Sequence, residues 1–449
     1  MNTIKRRSLI PGAMIPGALM LGTLMLSTLL LAACQRDAAP TAASGDPAAL
    51  SSRPSTITDW PLPSTTGAAQ PDLIVTPDGR LLLSWISAQP GRRHALQFAG
   101  YTDTWQSAPK TIAVGQSLFV NWADTPHLAA TDDGALWVHW LQKSADKPYA
   151  YDVVLSRSIN QGLNWSAPIK VHDDGTTTEH GFVSMWSASR DTLGIAWLDG
   201  RNTVVAQAPD EQGRAHEASQ AAHPGAGGPM TLRTATFNSL LQRTSDAELD
   251  ASTCDCCQTD AAMTSKGTLV VYRDRTDQEI RDIYTTRLEG KAWSVPKPVH
   301  ADNWTMPACP VNGPSMAAQG NDAYVAWYTA ADNTPTLRIA RSTDAGNAFA
   351  PPVQLDRGNE VQGRVDVAFD GTQVWVTWLR EAASGQSLWL ARYTPDLSRQ
   401  LERIEVAKLQ GRGRGTGFPQ LALRDGGAWL VWTDVLNGQP HLRGARVGL

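Results

Sequence analysis

The sequence lacks the motifs that define several common enzyme classes. It contains no His-Glu-x-x-His zinc motif, no phosphate-binding glycine-rich loop and no Cys-x-x-Cys-His haem attachment motif. It also has no excess of positive charge, because the formal net charge is -4 over 449 residues. We therefore exclude the classes that these motifs define, and we expect no cofactor and no nucleic-acid partner.

Cysteine, phenylalanine and tyrosine are scarce, whereas tryptophan is abundant. The chain has 5 Cys, 7 Phe and 8 Tyr but 17 Trp, which suggests a structural tryptophan that recurs along a repeat. Hydrophobic residues make up 42% and charged residues 18%, so a packed core is expected and disorder of the whole chain is excluded. The 37 Gly and 28 Pro are typical of many short strands joined by turns.

A long apolar stretch occurs at the N-terminus, where residues 9–31 follow three basic residues at 5–7. The stretch ends in Leu-Ala-Ala-Cys at Cys34, and this ending resembles the lipobox of bacterial lipoproteins. The resemblance implies that residues 1–33 are a signal peptide and that Cys34 is lipidated after cleavage. The alternative is an uncleaved membrane anchor, which two prolines within the stretch disfavour.

The predicted lipid determines where we expect the protein to be. Acyl chains on Cys34 would hold the protein on a membrane, and residues 34–54, rich in Ala, Pro and Ser, are typical of a flexible linker. Gln35, rather than an aspartate, follows the cysteine, which favours the outer membrane in enteric-type sorting. We therefore expect a cell-envelope protein whose membrane contact is made through an N-terminal lipid.

The rest of the chain contains seven copies of one short pattern: a turn with Gly or Asp, an apolar strand and an aromatic residue. The copies are about 50 to 57 residues apart, except that an insertion of about twenty residues displaces the fourth. Three further strand-like runs flank each copy, and four strands per repeat are typical of a β-propeller blade. The aromatic residues that end the copies are Trp85, Trp140, Trp197, Tyr272, Trp327, Trp378 and Trp432.

The repeats predict an all-β fold, a β-propeller of about seven four-stranded blades over residues 55–449. We name the strands of each blade A to D, from the innermost to the outermost. The seventh repeat lacks a D strand and residues 55–63 resemble one, so an N-terminal strand is expected to close the ring. The alternatives are six blades, with one repeat forming a hairpin, and a two-sheet sandwich, which the regular spacing disfavours.

Two predicted C–D turns, residues 158–165 and 342–349, resemble the Asp box, S-x-D-x-G-x-x-W. In such a turn the Asp or Asn side chain bonds backbone N–H groups, Gly adopts a conformation closed to other residues, and the aromatic ring packs between strands. These residues are therefore expected to be structural: Ser158, Asn160, Gly162, Trp165, Ser342, Asp344, Gly346 and Phe349.

With these turns, residues 55–449 resemble the Asp-box (BNR-repeat) family of sialidase-like β-propellers. The resemblance implies glycan recognition or glycoside hydrolysis, on the face away from the C–D turns. The sequence also departs from sialidases, because their Phe/Tyr-Arg-Ile-Pro motif is absent near the N-terminus. In addition, Tyr393, the only late tyrosine, lies in a predicted C strand.

Apart from the lipidated residue, the cysteines belong to two predicted D–A loops. Cys254, Cys256 and Cys257 precede the fourth blade, at the end of an expected insertion around residues 209–257, and Cys309 precedes the fifth. Since loops of neighbouring blades are adjacent, the four thiols can meet. An even number of cysteines in an exported protein favours two disulfides. A Cu(I) or Zn(II) thiolate site and a labile redox disulfide are the alternatives.

The D–A and B–C loops of a propeller open on one face, which we call the top face and which commonly carries function. Arginines facing one funnel there would bind carboxylate, sulfate or phosphate in a bidentate manner. The alternative is that they pair with adjacent aspartates, as in Arg273–Asp274 and Arg281–Asp282, and only hold the loops. The candidates for ligand binding are Arg201, Arg273, Arg281, Arg364 and Arg380.

The same loops contain groups suited to glycan chemistry. Glycoside hydrolysis needs two acidic groups at a fixed separation, or a tyrosine with a carboxylate partner. We expect a propeller that recognises a glycan or another anionic ligand; the alternatives are an exo-α-sialidase-type hydrolase and a cysteine-based metal or redox role. Candidate catalytic groups are Asp199, Asp274, Tyr272, Glu179 and His180, and candidate sugar-stacking rings are Trp122, Trp186 and Trp304.

Overall fold

The computed structural model describes residues 54–204 and 227–449. Within these ranges nearly all regular structure is β-strand, arranged in seven antiparallel sheets. The predicted signal peptide (1–33), Cys34 and nearly all of the predicted linker lie outside the described residues, as do residues 205–226. Among the described helices, none is long and apolar enough to cross a membrane.

The sheets are the seven blades of a β-propeller, and the strands of each follow one another in chain order. Strand β1 spans Thr56–Asp59. Blade 1 contains β2 (Ala68–Val75), β3 (Leu81–Gln89), β4 (Arg93–Tyr101) and β5 (Lys110–Gly115), and blade 2 contains β6 (Leu128–Ala130), β7 (Leu136–Lys143), β8 (Tyr151–Ser158) and β9 (Ile169–Lys170). Blade 3 contains β10 (His180–Ser189), β11 (Thr192–Asp199), β12 (Thr231–Phe237) and β13 (Arg243–Asp250).

The remaining blades follow the same order. Blade 4 contains β14 (Asp260–Thr264), β15 (Gly267–Arg273), β16 (Ile283–Glu289), β17 (Ala292–Trp293) and β18 (Lys297–His300), and blade 5 contains β19 (Ser315–Gln319), β20 (Asp322–Thr329), β21 (Thr336–Ser342) and β22 (Val353–Arg357). Blade 6 contains β23 (Val361–Phe369), β24 (Val374–Ala382), β25 (Gly385–Tyr393) and β26 (Gln400–Leu409), and blade 7 contains β27 (Gln420–Arg424), β28 (Gly427–Leu436) and β29 (Gln439–Gly448). Short 3₁₀ helices span Arg201–Thr203 and Gly413–Thr416.

The N-terminal strand closes the ring. Strand β1 pairs with β29 in an antiparallel manner, with Thr56 opposite Gly448 and Asp59 opposite Ala445, so it supplies the D strand that blade 7 lacks. The prediction of seven blades and of this closure is therefore confirmed. Blade 4 differs slightly from the others, because both β17 and β18 pair with β16.

The expected cysteine-containing insertion around residues 209–257 is not one segment. A long connection, residues 200–230, joins β11 to β12 in blade 3, and β12 and β13 then complete that blade. The three cysteines follow in a separate loop, residues 251–259. The spacing between successive B strands shows that extra residues lie between them but not where. An insertion before β12 and one before β14 therefore displace the fourth copy of the pattern equally.

The recurring aromatic residue is buried between neighbouring blades. Trp327 and Trp378 have 0% exposure, and Trp378 packs in one cluster with blade-5 residues such as Leu337. Each indole N–H also reaches a carboxylate of the preceding blade, at Asp302 (2.6 Å) and Asp356 (2.8 Å). A buried tryptophan of this kind contributes about 3–5 kcal/mol, which explains why the sequence is rich in it.

Aspartates join the blades close to the axis. The carboxylates of Asp72, Asp124, Asp260 and Asp366 each accept a 2.7 Å hydrogen bond from a backbone N–H in the A strand of the following blade. Burial raises the pKa of Asp260 to about 6 and the pKa values of Asp124 and Asp366 to about 7. All four aspartates therefore hold the inner ring together, and Asp124, Asp260 and Asp366 resist ionisation.

Candidate functional site

The long D–A loops meet over the centre of the top face. Trp122, in the loop before blade 2, stacks on Phe418, in the loop before blade 7, with ring centroids 5.8 Å apart. The same indole lies 5.0 Å from the guanidinium of Arg364 in blade 6. Since blades 2 and 6 are not neighbours, this contact crosses the ring axis.

Two arginines lie close to this indole, and we call Trp122, Arg364, Arg414 and Phe418 the axial arginine site. Arg414 lies 5.7 Å from the Trp122 ring. Arg364 is 5% exposed, and its Nη1 donates only to neutral oxygens, namely the Thr416 hydroxyl (2.9 Å) and the carbonyl of residue 417 (3.0 Å). Burial lowers the pKa of Arg364 to about 10, so it still carries its charge at neutral pH.

Arg273, another predicted ligand-binding residue, has a structural role instead. It is 2% exposed, and it donates to backbone carbonyls at Asn312 (3.1 and 2.8 Å), Arg281 (2.6 Å) and Tyr328 (2.7 Å). Its guanidinium also lies 5.0 Å from the Trp304 ring. Arg273 therefore joins the loops of blades 4 and 5 and is not available to a ligand.

The other three predicted arginines are neutralised by acidic side chains. The adjacent pairs Arg273–Asp274 and Arg281–Asp282 do not occur among the described ion pairs, since Arg273 donates to backbone carbonyls and Arg281 pairs with a different acid. Arg201 pairs with Asp199 (2.7 Å), Arg281 with Glu279 (2.8 Å), and Arg380 with Asp356 (2.7 Å) and Glu360 (2.8 Å).

Four thiols meet between blades 4 and 5, as their loop positions predicted. The Sγ atom of Cys254 lies 3.0 Å from that of Cys257 and 3.9 Å from that of Cys256, and Cys256 hydrogen-bonds Cys309 from the next D–A loop. All four thiols are free, so the two predicted disulfides are not formed. The closest Sγ atoms described for this group, those of Cys254 and Cys257, are 3.0 Å apart, which is longer than the roughly 2.05 Å of an S–S bond.

Positive charge lies beside these thiols. The Nη1 atom of Arg281 is 3.3 Å from the Sγ of Cys254. Burial alone would raise the pKa of Cys254, but hydrogen bonds from Cys256 and Cys257 and the charges of Arg273 and Arg281 hold it well below its ordinary value. A thiolate is the form of cysteine that binds metals, and the three Sγ atoms of the 251–259 loop lie within 4.8 Å of one another.

Two tyrosine–carboxylate pairs lie below the top face. The Tyr151 hydroxyl donates to Glu179 (2.6 Å) and lies 3.2 Å from Asp124, and Tyr272 donates to Asp250. Burial raises the pKa of Glu179 to about 8. Both tyrosines have 0% exposure, whereas a nucleophile must contact the substrate. The geometry therefore gives no support to a sialidase-type nucleophile at either position.

The remaining sequence candidates have structural surroundings. Asp199 accepts hydrogen bonds from Trp197 and Arg201 and is fully buried. Asp274 is 9% exposed, and burial raises its pKa to about 7. Trp186 and Trp304, each 6% exposed, belong to the core, so Trp122 is the one predicted stacking ring that is only half-buried.

The two Asp-box-like turns lie on the opposite face, between β8 and β9 and between β21 and β22, and have the same internal geometry. In the second turn the Ser342 hydroxyl donates to Asp344 (2.7 Å) and accepts from the backbone N–H of Gly346 (2.9 Å). Ser158, Asn160 and Gly162 repeat this arrangement in the first turn (3.0 and 2.9 Å). Local hydrogen bonds therefore occupy the Ser, Asp and Asn side chains of the two turns.

Comparison with known proteins identifies the architecture but not a family. No family model and no curated protein matches the chain. Solved structures do match, among them the BP39L lectin from Burkholderia pseudomallei, with a TM-score of 0.57 and 10% identity over 86% of this chain and 97% of the lectin. The chain is a seven-bladed β-propeller. At this identity the likeness establishes the fold alone.

Two further matches are more distant. An α-L-arabinanase from Penicillium chrysogenum has a TM-score of 0.42 and 14% identity, over 87% of this chain and 97% of the arabinanase. A Hadza microbial sialidase, Hz136, has a TM-score of 0.38 and 15% identity, over 70% of this chain and 63% of the sialidase.

Proposed function

We propose that this propeller is a lipid-anchored protein of the cell envelope that binds an acidic glycan at the axial arginine site. The observation that carries the proposal is the position of the Arg364 and Arg414 guanidinium groups, 5.0 and 5.7 Å from the Trp122 ring. Neither guanidinium has a carboxylate within ion-pair distance among the described residues, whereas the other predicted top-face arginines are already occupied.

Arg364 in particular lacks an anion. A buried charge is costly unless it is paired, and its Nε and Nη2 atoms have no hydrogen-bond partner in the described part of the chain. Glu381, the acid that most affects its pKa, accepts a hydrogen bond from Gly413 (2.9 Å) and lies 3.7 Å from Arg412. A carboxylate or sulfate would supply both the missing charge and a bidentate acceptor.

The aromatic residues favour a sugar over a small inorganic anion. Trp122 and Phe418 are half-buried and stacked, so they offer a flat apolar surface beside the two charges. The C–H face of a pyranose packs on such a surface, while an acidic substituent reaches the guanidinium groups. This combination is the reason to propose an acidic glycan as the ligand.

Calorimetric titration with uronate-containing and sulfated oligosaccharides, and with neutral oligosaccharides of equal length, tests this proposal. We expect binding of an acidic class only, and about tenfold weaker binding by Arg414→Ala, which is the loss of one charge-assisted contact. Arg399→Ala is the matched control, because Arg399 is an exposed arginine of a C–D loop on the opposite face. Equal weakening by both variants, or equal affinity for neutral sugars, would refute the proposal.

The membrane anchor is a separate part of the proposal and rests on the N-terminal sequence alone. Replacing the predicted lipidated cysteine, as Cys34→Ser, is expected to move the protein from the membrane fraction to the soluble fraction and to remove the mass of the acyl chains. Unchanged fractionation and mass would exclude lipidation while leaving the glycan site untested, so the two parts fail independently.

A second candidate function is thiolate metal binding, favoured by the four free thiols and the positive charge beside Cys254. Cu(I) prefers such soft ligands. Competition for Cu(I) against a chromogenic chelator is expected to show one tightly bound ion per chain, which Cys256→Ser weakens. Retention of full affinity by that variant would leave the cysteines without a metal role.

A further inference from the structure

A second cluster of chemistry-bearing residues lies on the top face where blades 2 and 3 meet. Asp152 is the second residue of β8, His172 follows β9, and His180 is the first residue of β10. The side chains of both histidines are at most 1% exposed. This cluster is separate from the axial arginine site and from the thiols.

Each of the three side chains holds one buried polar atom without a hydrogen-bond partner. These atoms are Asp152 Oδ1, His172 Nε2 and His180 Nε2. The three residues can each offer one ligand atom within 4.8 Å of the others, and His172 Nε2 lies 3.5 Å from Asp152 Oδ1. Folded proteins pair nearly all buried polar groups, so three unpaired groups around one point call for a ligand that supplies what they lack.

The second polar atom of each side chain is fixed by a protein partner. Asp152 Oδ2 pairs with Lys170 (2.7 Å), His172 Nδ1 donates to Asp174 (2.6 Å), and His180 Nδ1 donates to the carbonyl of residue 178 (3.2 Å). Histidines that bind metals donate their other ring N–H to a carboxylate or a carbonyl in this way. The partners therefore leave Asp152 Oδ1, His172 Nε2 and His180 Nε2 as the atoms available to a ligand.

We propose that Asp152, His172 and His180 bind one divalent first-row transition-metal ion. The donor set of two imidazoles and one carboxylate suits Zn²⁺ and related ions and leaves room for a solvent ligand. The Nε2 of His172 lies 3.5 Å from Asp152 Oδ1, close to the roughly 3.3 Å that separates two ligands of a tetrahedral ion with bonds of about 2.0–2.1 Å.

The surrounding charges are compatible with an added cation. Asp174 and Asp199 approach His180 Nε2 to 3.2 and 3.6 Å, and Arg201 pairs with both acids. The two imidazole rings are stacked, with centroids 3.6 Å apart and planes 7° from parallel. Because lone pairs lie in the ring planes, binding of one ion requires one ring to tilt away from its neighbour.

Titration of the metal-stripped full chain with Co²⁺ tests the proposal and separates this site from the thiols. We expect one equivalent with weak visible bands, which Cys256→Ser retains; intense thiolate-to-cobalt absorption would belong to a separate equivalent bound by the thiols. His172→Ala and His180→Ala should each lose it. His139→Ala is the matched control, since His139 is equally buried with both ring nitrogens unpaired and belongs to no group of ligand atoms within residues 54–204 and 227–449.

A measurement on the unmodified chain guards against misfolding of the histidine variants. In nitrogen-15 NMR, adding Zn²⁺ should shift the Nε2 resonances of His172 and His180 from unprotonated to metal-bound values and leave those of His139 unchanged. Co²⁺ binding that is seen only as thiolate absorption would overturn the proposal. Unshifted Nε2 resonances, or full retention of cobalt by His172→Ala, would also overturn it.

Discussion

The two faces of the propeller satisfy their polar groups in different ways. On the opposite face, Ser342 and Asp344 bond within their own turn at 2.7 to 3.3 Å. On the top face, Arg364, His172 and His180 keep polar atoms without partners among the described residues. The comparison teaches that a ligand for these side chains is to be sought where their hydrogen bonding is incomplete, because the Ser and Asp side chains of the opposite face are already bonded within their turn.

The top face itself is not uniform in this respect. Arg273 and Arg364 are almost equally buried, at 2% and 5% exposure, and both lie over an indole ring. Arg273 uses Nε, Nη1 and Nη2 on backbone carbonyls, whereas Arg364 uses only Nη1 on side-chain and backbone oxygens. Completeness of hydrogen bonding, rather than position or burial, therefore separates a structural arginine from a candidate ligand-binding one.

The largest expected effect comes from the buried structural arginine. Arg273→Ala should lower the free energy of unfolding by about 3–5 kcal/mol, because it leaves three carbonyl groups unpaired and a cavity beneath Trp304. Urea denaturation measures this loss. Arg414→Ala removes an exposed guanidinium from the same face and should change stability by no more than about 0.5 kcal/mol. Equal losses of unfolding free energy in the two variants would contradict the distinction between a structural and a ligand-binding arginine.

On the opposite face, Gly346→Ala is expected to cost about 2–4 kcal/mol. Gly346 has a φ of 81°, and an added Cβ would lie 2.4 Å from Leu269 Cδ2, so backbone strain and overpacking combine. Gly426→Ala is the matched control, because its φ is 69° but nothing lies within 4 Å of its Cβ position. Glycan binding should stay intact in both variants; a loss in either would link the opposite face to function.

Between the two faces, the aspartates near the axis should make stability depend on pH. Burial raises the pKa of Asp366 to about 7 from an ordinary value of 3.8. The folded state therefore binds this proton more tightly than the unfolded chain. Its contribution is fully present below about pH 4 and is lost as the pH rises to about 7.

The variant Asp366→Asn isolates this contribution. An amide presents one acceptor and one donor side, as a protonated carboxyl does, so it can still accept from the backbone N–H of Leu421. Unfolding measured between pH 4 and pH 7 should show a shallower loss of stability in the variant than in the unchanged protein. Parallel pH profiles would mean that Asp366 is already ionised in the fold.

The periodic part of the structure could be predicted from the sequence, and the contact-dependent part could not. One aromatic residue per repeat, such as Trp378, and the missing D strand of the last repeat indicated seven blades closed by residues 55–63. Position in adjacent D–A loops also brought Cys254 and Cys309 together correctly. Repeats determine these features because each blade packs in the same way on its neighbours.

The candidate site depends on how individual loops fold, and the sequence carries little signal for that. Tyr151 and Glu179 meet although they are 28 residues apart, and His172 stacks on His180 across a D–A loop. Whether the thiols are free also depends on how one loop folds, because it is decided by the positions of the Sγ atoms and not by the number of cysteines. An aspartate recurs in or just before several A strands, as at Asp72. This regular position was a signal in the sequence from which the hydrogen bonds between blades could have been predicted.

The smallest expected effect compares the two Asp-box-like turns directly. Asp344 Oδ1 accepts from the Ser342 hydroxyl and from the N–H of Ala348 (3.0 Å), and Asn160 accepts the same pair of bonds in the first turn. The variant Asp344→Asn keeps this acceptor, so at neutral pH it should lose less than about 0.5 kcal/mol.

The asparagine side chain lacks the negative charge of Asp344. The difference in stability between the variant and the unchanged protein should therefore vanish in acid. The hydrogen bond from Ala348 lowers the pKa of Asp344, and burial opposes it. The carboxylate therefore adds stability above its unfolded pKa of about 3.8, and this is lost as the pH falls through the lower folded value. Denaturation should show a small difference in the free energy of unfolding between the variant and the unchanged protein at pH 7 and none at pH 2.5. A large gap at both would mean that the two turns, despite identical hydrogen bonds, are held by different forces.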